Sequence, residues 1–253
     1  AMILIPFLGF AQGTKNELET DFGTRTSIGV DKKISKGFHV NAEYELRTED
    51  SFGKIGRHQV SLGTDYKIAP WLKGGLSYSY IYNQGKSAWN TRHRISGDLT
   101  FGLKGGDWRF SLKEQVRYTH KAGEINPYQE VRNSVQLKSR LKAQYKGFEK
   151  WEPYAFVEVR NIFNDPTCKA SYSSGTYSNY ELGGYNDAYI NRLRGSLGAE
   201  MELNKHNALD FYVLLDYNYN KNIDTNKEGT RLKSLTYDQT FRPTVGIGYK
   251  FSF

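Results

Sequence analysis

The last eleven residues, Pro243 to Phe253, constrain this chain more than any other stretch. Side chains alternate faces along a β-strand, so Pro243, Val245, Ile247, Tyr249, Phe251 and Phe253 share one side. Thr244, Gly246, Gly248, Lys250 and Ser252 share the other. A soluble chain seldom gives its closing strand an apolar face that ends in a C-terminal aromatic. A membrane barrel requires that pattern, because the outward face meets lipid and the inward face meets water.

Composition agrees. The chain has 253 residues, room for one barrel or one to two ordinary domains. A mean hydropathy of −0.67 excludes a bundle of membrane helices. After residue 12 no window approaches the roughly eighteen apolar residues that a spanning helix needs. A barrel needs only half its strand residues apolar, so a hydrophilic average still permits crossing a bilayer. The 19 Tyr and 25 Gly suit strands with interfacial aromatics and a crowded interior. Cys168 is the single cysteine, which leaves no disulfide framework and no Cys-based zinc site. It reads as an incidental loop thiol. The five histidines show no metal-ligand spacing, and no metal or cofactor is expected.

Residues 1–12 read as the apolar core of a secretory leader, with Gly9-Phe10-Ala11 as a small-x-small cleavage site. The alternative makes Met2–Ala11 a first strand. Residues 13–253 read as a single outer-membrane β-barrel.

Alternating segments recur at 22–34, 38–48, 57–67, 71–82, 92–103, 107–119, 134–146, 151–161, 188–202, 207–219 and 240–253. Short polar connections alternate with long ones, 49–56, 83–91, 120–133, 162–187 and 220–239. Transmembrane barrels sit this way, with short turns in the periplasm and long loops outside. The segments number eleven. Bacterial single-chain barrels have even counts, so the expectation is an all-β, antiparallel transmembrane β-barrel of about twelve strands, with ten as the alternative. Phe38, Trp71, Trp108 and Trp151 open strands after short turns, and Tyr80, Tyr82 and Tyr118 stand near the far ends. On tilted strands those separations span an apolar band of roughly 25 Å. Trp and Tyr suit headgroup level because their rings are apolar at one end and hydrogen-bond at the other.

The ending at Phe253 resembles the C-terminal signature of bacterial outer-membrane proteins, which implies that the barrel assembly machinery reads it. The run Asp21–Ile34 (DFGTRTSIGVDKKI), with Ala42–Arg47 (AEYELR), Trp71-Leu72-Lys73 and Arg92-His93-Arg94, resembles an uncharacterised Bacteroidota family of short outer-membrane β-barrels, a domain of unknown function. Many members carry Trp where Arg25 stands. The resemblance implies fold and compartment but no chemistry.

Charge then has to be placed. The formal net charge is +8. With apolar parity outward, the inward face collects Arg94, Arg109, Lys113, Arg117, Lys138, Arg140, Lys142, Arg160, Arg192 and Arg194. The opposite wall reads as mixed, with Glu43, Glu45, Arg47, Asp65, Asp210 and Asp216. One reading has the walls pair and fill a narrow lumen. The other is a porin-like channel for passive diffusion of small anionic solutes, with arginine offering bidentate recognition of carboxylate, sulfate or phosphate. Its architecture is analogous to acidic-oligosaccharide porins. Inward Tyr154 and Phe156 suggest a constriction or a sugar-stacking platform, with packing filler as the plainer account. The expected partners are the lipid bilayer, lipopolysaccharide and a small anionic solute, for a monomer with a partner protein allowed.

Other classes fare worse. Nucleic-acid binders interleave basic residues with aromatics on one open face, whereas here they face opposite ways. For an enzyme, His93 with Asp98 and His120 near Glu124 are loose candidates. The first pair differs by an odd number and faces opposite sides, and no nucleophile motif occurs. No catalytic residue is expected. A plugged barrel with a structural or partner-binding role is the runner-up, and loop 162–187, rich in Tyr, Ser and Gly, suits adaptable contacts or a gate.

Overall fold

Strict alternation of oil-facing and water-facing side chains allows a sheet one stable outcome when no second layer covers it: it closes on itself. In a computed structural model of the chain, which describes residues 18–85, 89–173 and 176–253, it does so. The strands are β1 (Leu18–Thr20), β2 (Gly23–Ser35), β3 (Phe38–Glu49), β4 (Lys54–Ala69), β5 (Leu72–Gln84), β6 (Trp89–Gly105), β7 (Trp108–Lys121), β8 (Asn133–Tyr145), β9 (Trp151–Asp165), β10 (Cys168–Ser173), β11 (Thr176–Leu182), β12 (Asp187–Asn204), β13 (Asn207–Thr225) and β14 (Leu232–Ser252). Residues 1–12, read as leader or first strand, lie outside the described residues.

Twelve strands form one sheet, and β14 returns to pair with β2. The ring itself is closed by β2 to β9, β12, β13 and β14, eleven strands, so its first and last members run the same way. The seam is therefore parallel, from Thr244↔Gly23 to Ser252↔Asp31, while the neighbouring ladders around the ring are antiparallel. The twelfth strand, β1, continues the line of β2 along β14, pairing Leu18 with Gln239. All eleven segments read from the sequence are strands, and several run further than expected. The 220–239 connection shrinks most, because β13 and β14 remain paired out to Thr225↔Leu232.

The inside and outside are reversed relative to a soluble protein. Large apolar side chains at one parity stay exposed on strand after strand, among them Leu62, Leu76, Ile95, Leu141 and Val157. Leu103 and Leu197 are 72% and 70% exposed. Soluble monomers do not present so continuous an apolar surface. Buried positions are instead largely polar, including Ser96, Gln115, Lys138, Glu158 and Arg194. Trp108, Trp151, Tyr80, Tyr82 and Tyr118 are exposed on the outward parity, Trp71 stands exposed just before β5 and stacks on outward Phe101, and Phe38 lines an outward groove. Phe253 is held at the seam, its amide donating to the Asp31 carbonyl and its carbonyl accepting from Lys33.

Two expectations are corrected. The stretch 162–187, read as a long loop, holds the end of β9 and a hairpin formed by β10 and β11. Cys168 is not an incidental surface thiol. It is buried with Ile223, Leu232 and Leu235, against which Ala170, Tyr177, Tyr180 and Leu182 pack. The hairpin is fastened by the Tyr177 hydroxyl donating to the Leu235 carbonyl and the Tyr180 hydroxyl to the Thr230 carbonyl.

Candidate functional site

Inside the barrel, the register decides which side chains are neighbours along a cross-strand row, and strand tilt inclines each row to the barrel axis. Lys138, Arg160 and Arg192 lie in one cross-strand row, and Lys113, Arg140, Glu158, Arg194 and Asp216 in the next. On the facing wall Arg25, Arg47 and Arg57 are directly opposed across β2, β3 and β4. These rows surround a cavity of about 650 Å³. Its lining includes ten arginines (25, 47, 57, 92, 94, 117, 140, 160, 192, 194) and four lysines (121, 138, 142, 221). Against these fourteen cations it presents four carboxylates, Glu43, Glu45, Asp165 and Asp210.

Five further carboxylates outside the lining bind its cations: Glu130 takes Lys121, Glu200 takes Lys142 and Asp187 takes Lys221, while Glu158 and Asp216 each take several. Glu158 takes Lys138 at 3.0 Å, Arg140 at 2.5 Å and Arg194 at 3.2 Å. Asp216 takes Arg194 at 2.6 Å, Arg192 at 3.1 Å and Arg25 at 3.5 Å. Most of this pairing joins nearby strands of the wall. Five other arginines are anchored differently. Nε of Arg57 donates to Asn83 at 2.9 Å, Arg92 to Asn90 at 3.2 Å, Arg94 to Thr119 at 3.1 Å, Arg117 to Gln115 at 2.7 Å and Arg160 to Asn191 at 2.7 Å. Among the described residues none of these five reaches a carboxylate within 4.0 Å. Their charge is met here by neutral oxygens.

At the floor of the cavity two rings lie flat against the wall, and glycines make the room. A Cβ at Gly198 would stand 2.6 Å from the Tyr154 ring, and one at Gly246 would collide with Tyr212. The Tyr154 hydroxyl donates to Asp210 at 2.9 Å. Lys142 lies 4.1 Å over the Tyr154 ring and Arg140 lies 4.2 Å over Phe156. Tyr154 and Phe156 thus hold cations in place through their π faces. Those faces are occupied by cations, which argues against the sugar-stacking platform.

Of the ten basic residues read from the sequence as lining the passage, eight border this cavity: Arg94, Arg117, Lys138, Arg140, Lys142, Arg160, Arg192 and Arg194. Arg109 and Lys113 do not. Arg109 is exposed close to the short β6–β7 turn, and Lys113 is engaged by Asp98 at 3.1 Å. Strand parity fixes the face a side chain takes but not its height. Arg25 and Arg57 also border the cavity and were not read from the sequence, and Arg92, inward by parity, joins them. Arg57 shares parity with Asp65, already read as inward, so the signal was there; the level it occupies was not.

The histidines considered for catalysis stand apart from this interior. Nδ1 of His93 is 2.7 Å from the Tyr78 hydroxyl, and Nδ1 of His120 is 2.8 Å from Oδ1 of Asn133. His93 and His120 are cross-strand neighbours on the outward parity, while Asp98 faces inward. Among the described residues no group of three or more His, Cys, Asp or Glu is placed to hold a metal ion.

Comparison with curated proteins found no match. Among solved structures, the chain is similar to the translocator domain of the autotransporter NalP from Neisseria meningitidis, with 14% identity over 73% of this chain and 70% of that one and a TM-score of 0.36. A likeness this distant says nothing about activity. The sequence itself is placed more firmly: residues 22–227 match the family described as "Protein of unknown function (DUF2490)", and this chain belongs to that family.

Proposed function

We propose that this chain is an outer-membrane channel of a Gram-negative bacterium through which small anionic solutes diffuse passively, acidic oligosaccharides being one class. It acts as a single barrel, inserted by the assembly machinery that reads the Phe253 strand, with lipopolysaccharide around its outer half. No bond is made or broken in this role. The observation that carries it is the charge of the lumen: fourteen cationic side chains against four carboxylates around one cavity. In a confined, low-dielectric space such an excess raises the local concentration of anions and lowers that of cations.

A second reading has support of its own. Ser27, Glu43 and Asp210 border both the main cavity and a smaller one toward the short turns, so the lumen is divided at their level, where the Tyr154 hydroxyl donates to Asp210. That arrangement favours a plugged, non-conducting barrel with a structural or partner-binding role.

Recording single channels in a planar bilayer under a potassium chloride gradient separates the two. The channel reading expects discrete openings with a reversal potential on the anion side. Replacing Arg94 and Arg117 together by Glu should move that potential toward cations. Absence of openings selects the plugged barrel, and cation preference in the unaltered protein overturns the charge assignment.

A further inference from the structure

The five arginines with neutral partners say more than that anions are favoured. An arginine guanidinium has two bidentate donor edges, Nε with one terminal nitrogen and the two terminal nitrogens together. Here Nε is already spent on a fixed amide or hydroxyl oxygen in each of Arg57, Arg92, Arg94, Arg117 and Arg160. Anchoring Nε to the wall fixes the plane of the group and leaves the edge with the two terminal nitrogens unengaged by carboxylate. That edge matches two oxygens of one carboxylate, sulfate or phosphate. By contrast Nε of Arg140 and Arg47 goes to Glu158 and Glu45, so those forks already hold an anion of the protein's own.

The five are also one electrostatic unit. Arg57 lies in the field of Arg94 and Arg92, Arg94 in that of Arg160, and Arg117 in that of both Arg94 and Arg160. Carboxylates oppose this field, Glu45 at Arg57 and Arg94, Glu158 at Arg117 and Arg160, Asp216 at Arg160 and Glu130 at Arg92. Each is already bound by another cation: Glu45 by Arg47, Glu158 by Arg140, Asp216 by Arg194 and Glu130 by Lys121. A monovalent anion relieves the repulsion at one fork. An ion with charged groups at both ends relieves it at two or more and forms twice the number of charge-assisted hydrogen bonds. The cavity, about 650 Å³, lies within the range of small-molecule sites of roughly 300–1,000 Å³.

From this geometry we infer that the lumen contains a saturable site for multivalent oxyanions, molecules with two or more phosphate, sulfate or carboxylate groups, held between guanidinium forks on different strands. The inference rests on the anion-channel reading and narrows its solute: monovalent anions pass, and multivalent ones bind on the way.

Replacing arginine by lysine separates the two claims, because lysine keeps the charge but lacks the fork. The full chain, reconstituted in a planar bilayer with potassium chloride, is titrated with inorganic pyrophosphate and, separately, with acetate. Pyrophosphate should reduce the chloride current at a concentration at least tenfold below that needed with acetate. In the variant Arg57→Lys, Arg94→Lys, Arg117→Lys the half-blocking pyrophosphate concentration should rise at least tenfold while the reversal potential stays on the anion side. Equal block in variant and parent, or no pyrophosphate block in an anion-selective parent, overturns the inference and spares the channel reading. Cation selectivity in the parent overturns that reading instead. Should the barrel not conduct, calorimetric titration of the detergent-solubilised chain with pyrophosphate decides: heat that saturates and is lost in the lysine variant supports the site, and no saturable heat removes it. Heat-modifiable gel mobility confirms that the variant is folded before either measurement.

Discussion

Toward the short turns, charges inside the barrel meet one to one: Asp65 with Lys73 at 2.5 Å and Asp98 with Lys113 at 3.1 Å. Toward the long loops, Glu158 alone is shared by Lys138, Arg140 and Arg194, and five arginines rest on neutral oxygens. Both regions are built from the same alternating strands. What differs is whether each cation brings its own carboxylate. Paired charges close a space and cancel in the far field. Unpaired ones leave a positive potential that an anion can cancel, so on the proposed channel reading the second region sets selectivity.

The sharpest way to break this contrast is at Glu158, whose side chain is 1% exposed. Glu158→Ala leaves three cations facing one another with no carboxylate between them. Removing one member of a buried ionic cluster costs about 3–5 kcal/mol. The expected outcome is a lower urea midpoint for the detergent-refolded barrel, read by tryptophan fluorescence. An unchanged midpoint would mean that water or outside ions screen the cluster, and that the cationic region is not desolvated.

A somewhat smaller effect is expected on the outer surface that both regions share. Leu197 faces outward midway along β12, opposite Ala155 and Val213. Arginine near the bilayer midplane of a barrel costs about 2–4 kcal/mol. Leu197→Arg should therefore lower the free energy of folding into phosphatidylcholine vesicles by that amount. A harmless substitution would reverse inside and outside, and the comparison between the two lumen regions would lose its meaning.

Much of this was legible in the sequence because one rule covers it. Parity turns Ile28, Val60, Leu76, Ile95 and Val157 outward, and the closed sheet with its polar interior follows from repeating that on each strand. The same rule turns Arg94, Arg117, Lys138 and Arg192 inward. It does not place them along the barrel axis. That the arginines of β2, β3 and β4 face the cavity bordered by Arg117 and Arg160 depends on register accumulated around the ring, and no local signal encodes it. The parallel seam was hidden for a related reason, since whether eleven strands close depends on tilt and stagger of the whole sheet. The hairpin of β10 and β11 was hidden because Cys168 and Tyr177 find their apolar partners in Ile223 and Leu235, far along the chain. Its own Tyr, Ser and Gly residues read as loop.

The smallest effect should come from the paired region, and it sharpens the contrast by failing to appear. Asp65 and Lys73 are directly bonded, yet the Lys73 side chain is 51% exposed, so water and salt screen the pair. Exposed pairs contribute under about 1 kcal/mol. Asp65→Asn combined with Lys73→Gln removes one charge of each sign, leaving the local sum as it was. Reversal potential in the bilayer should stay at the parent value and the urea midpoint should move little. A shift in reversal potential as large as that produced by Arg94→Glu with Arg117→Glu would show that ions are selected near the short turns. The arginine belt would then be a structural feature, and selectivity would belong to the end of the barrel where charges are matched.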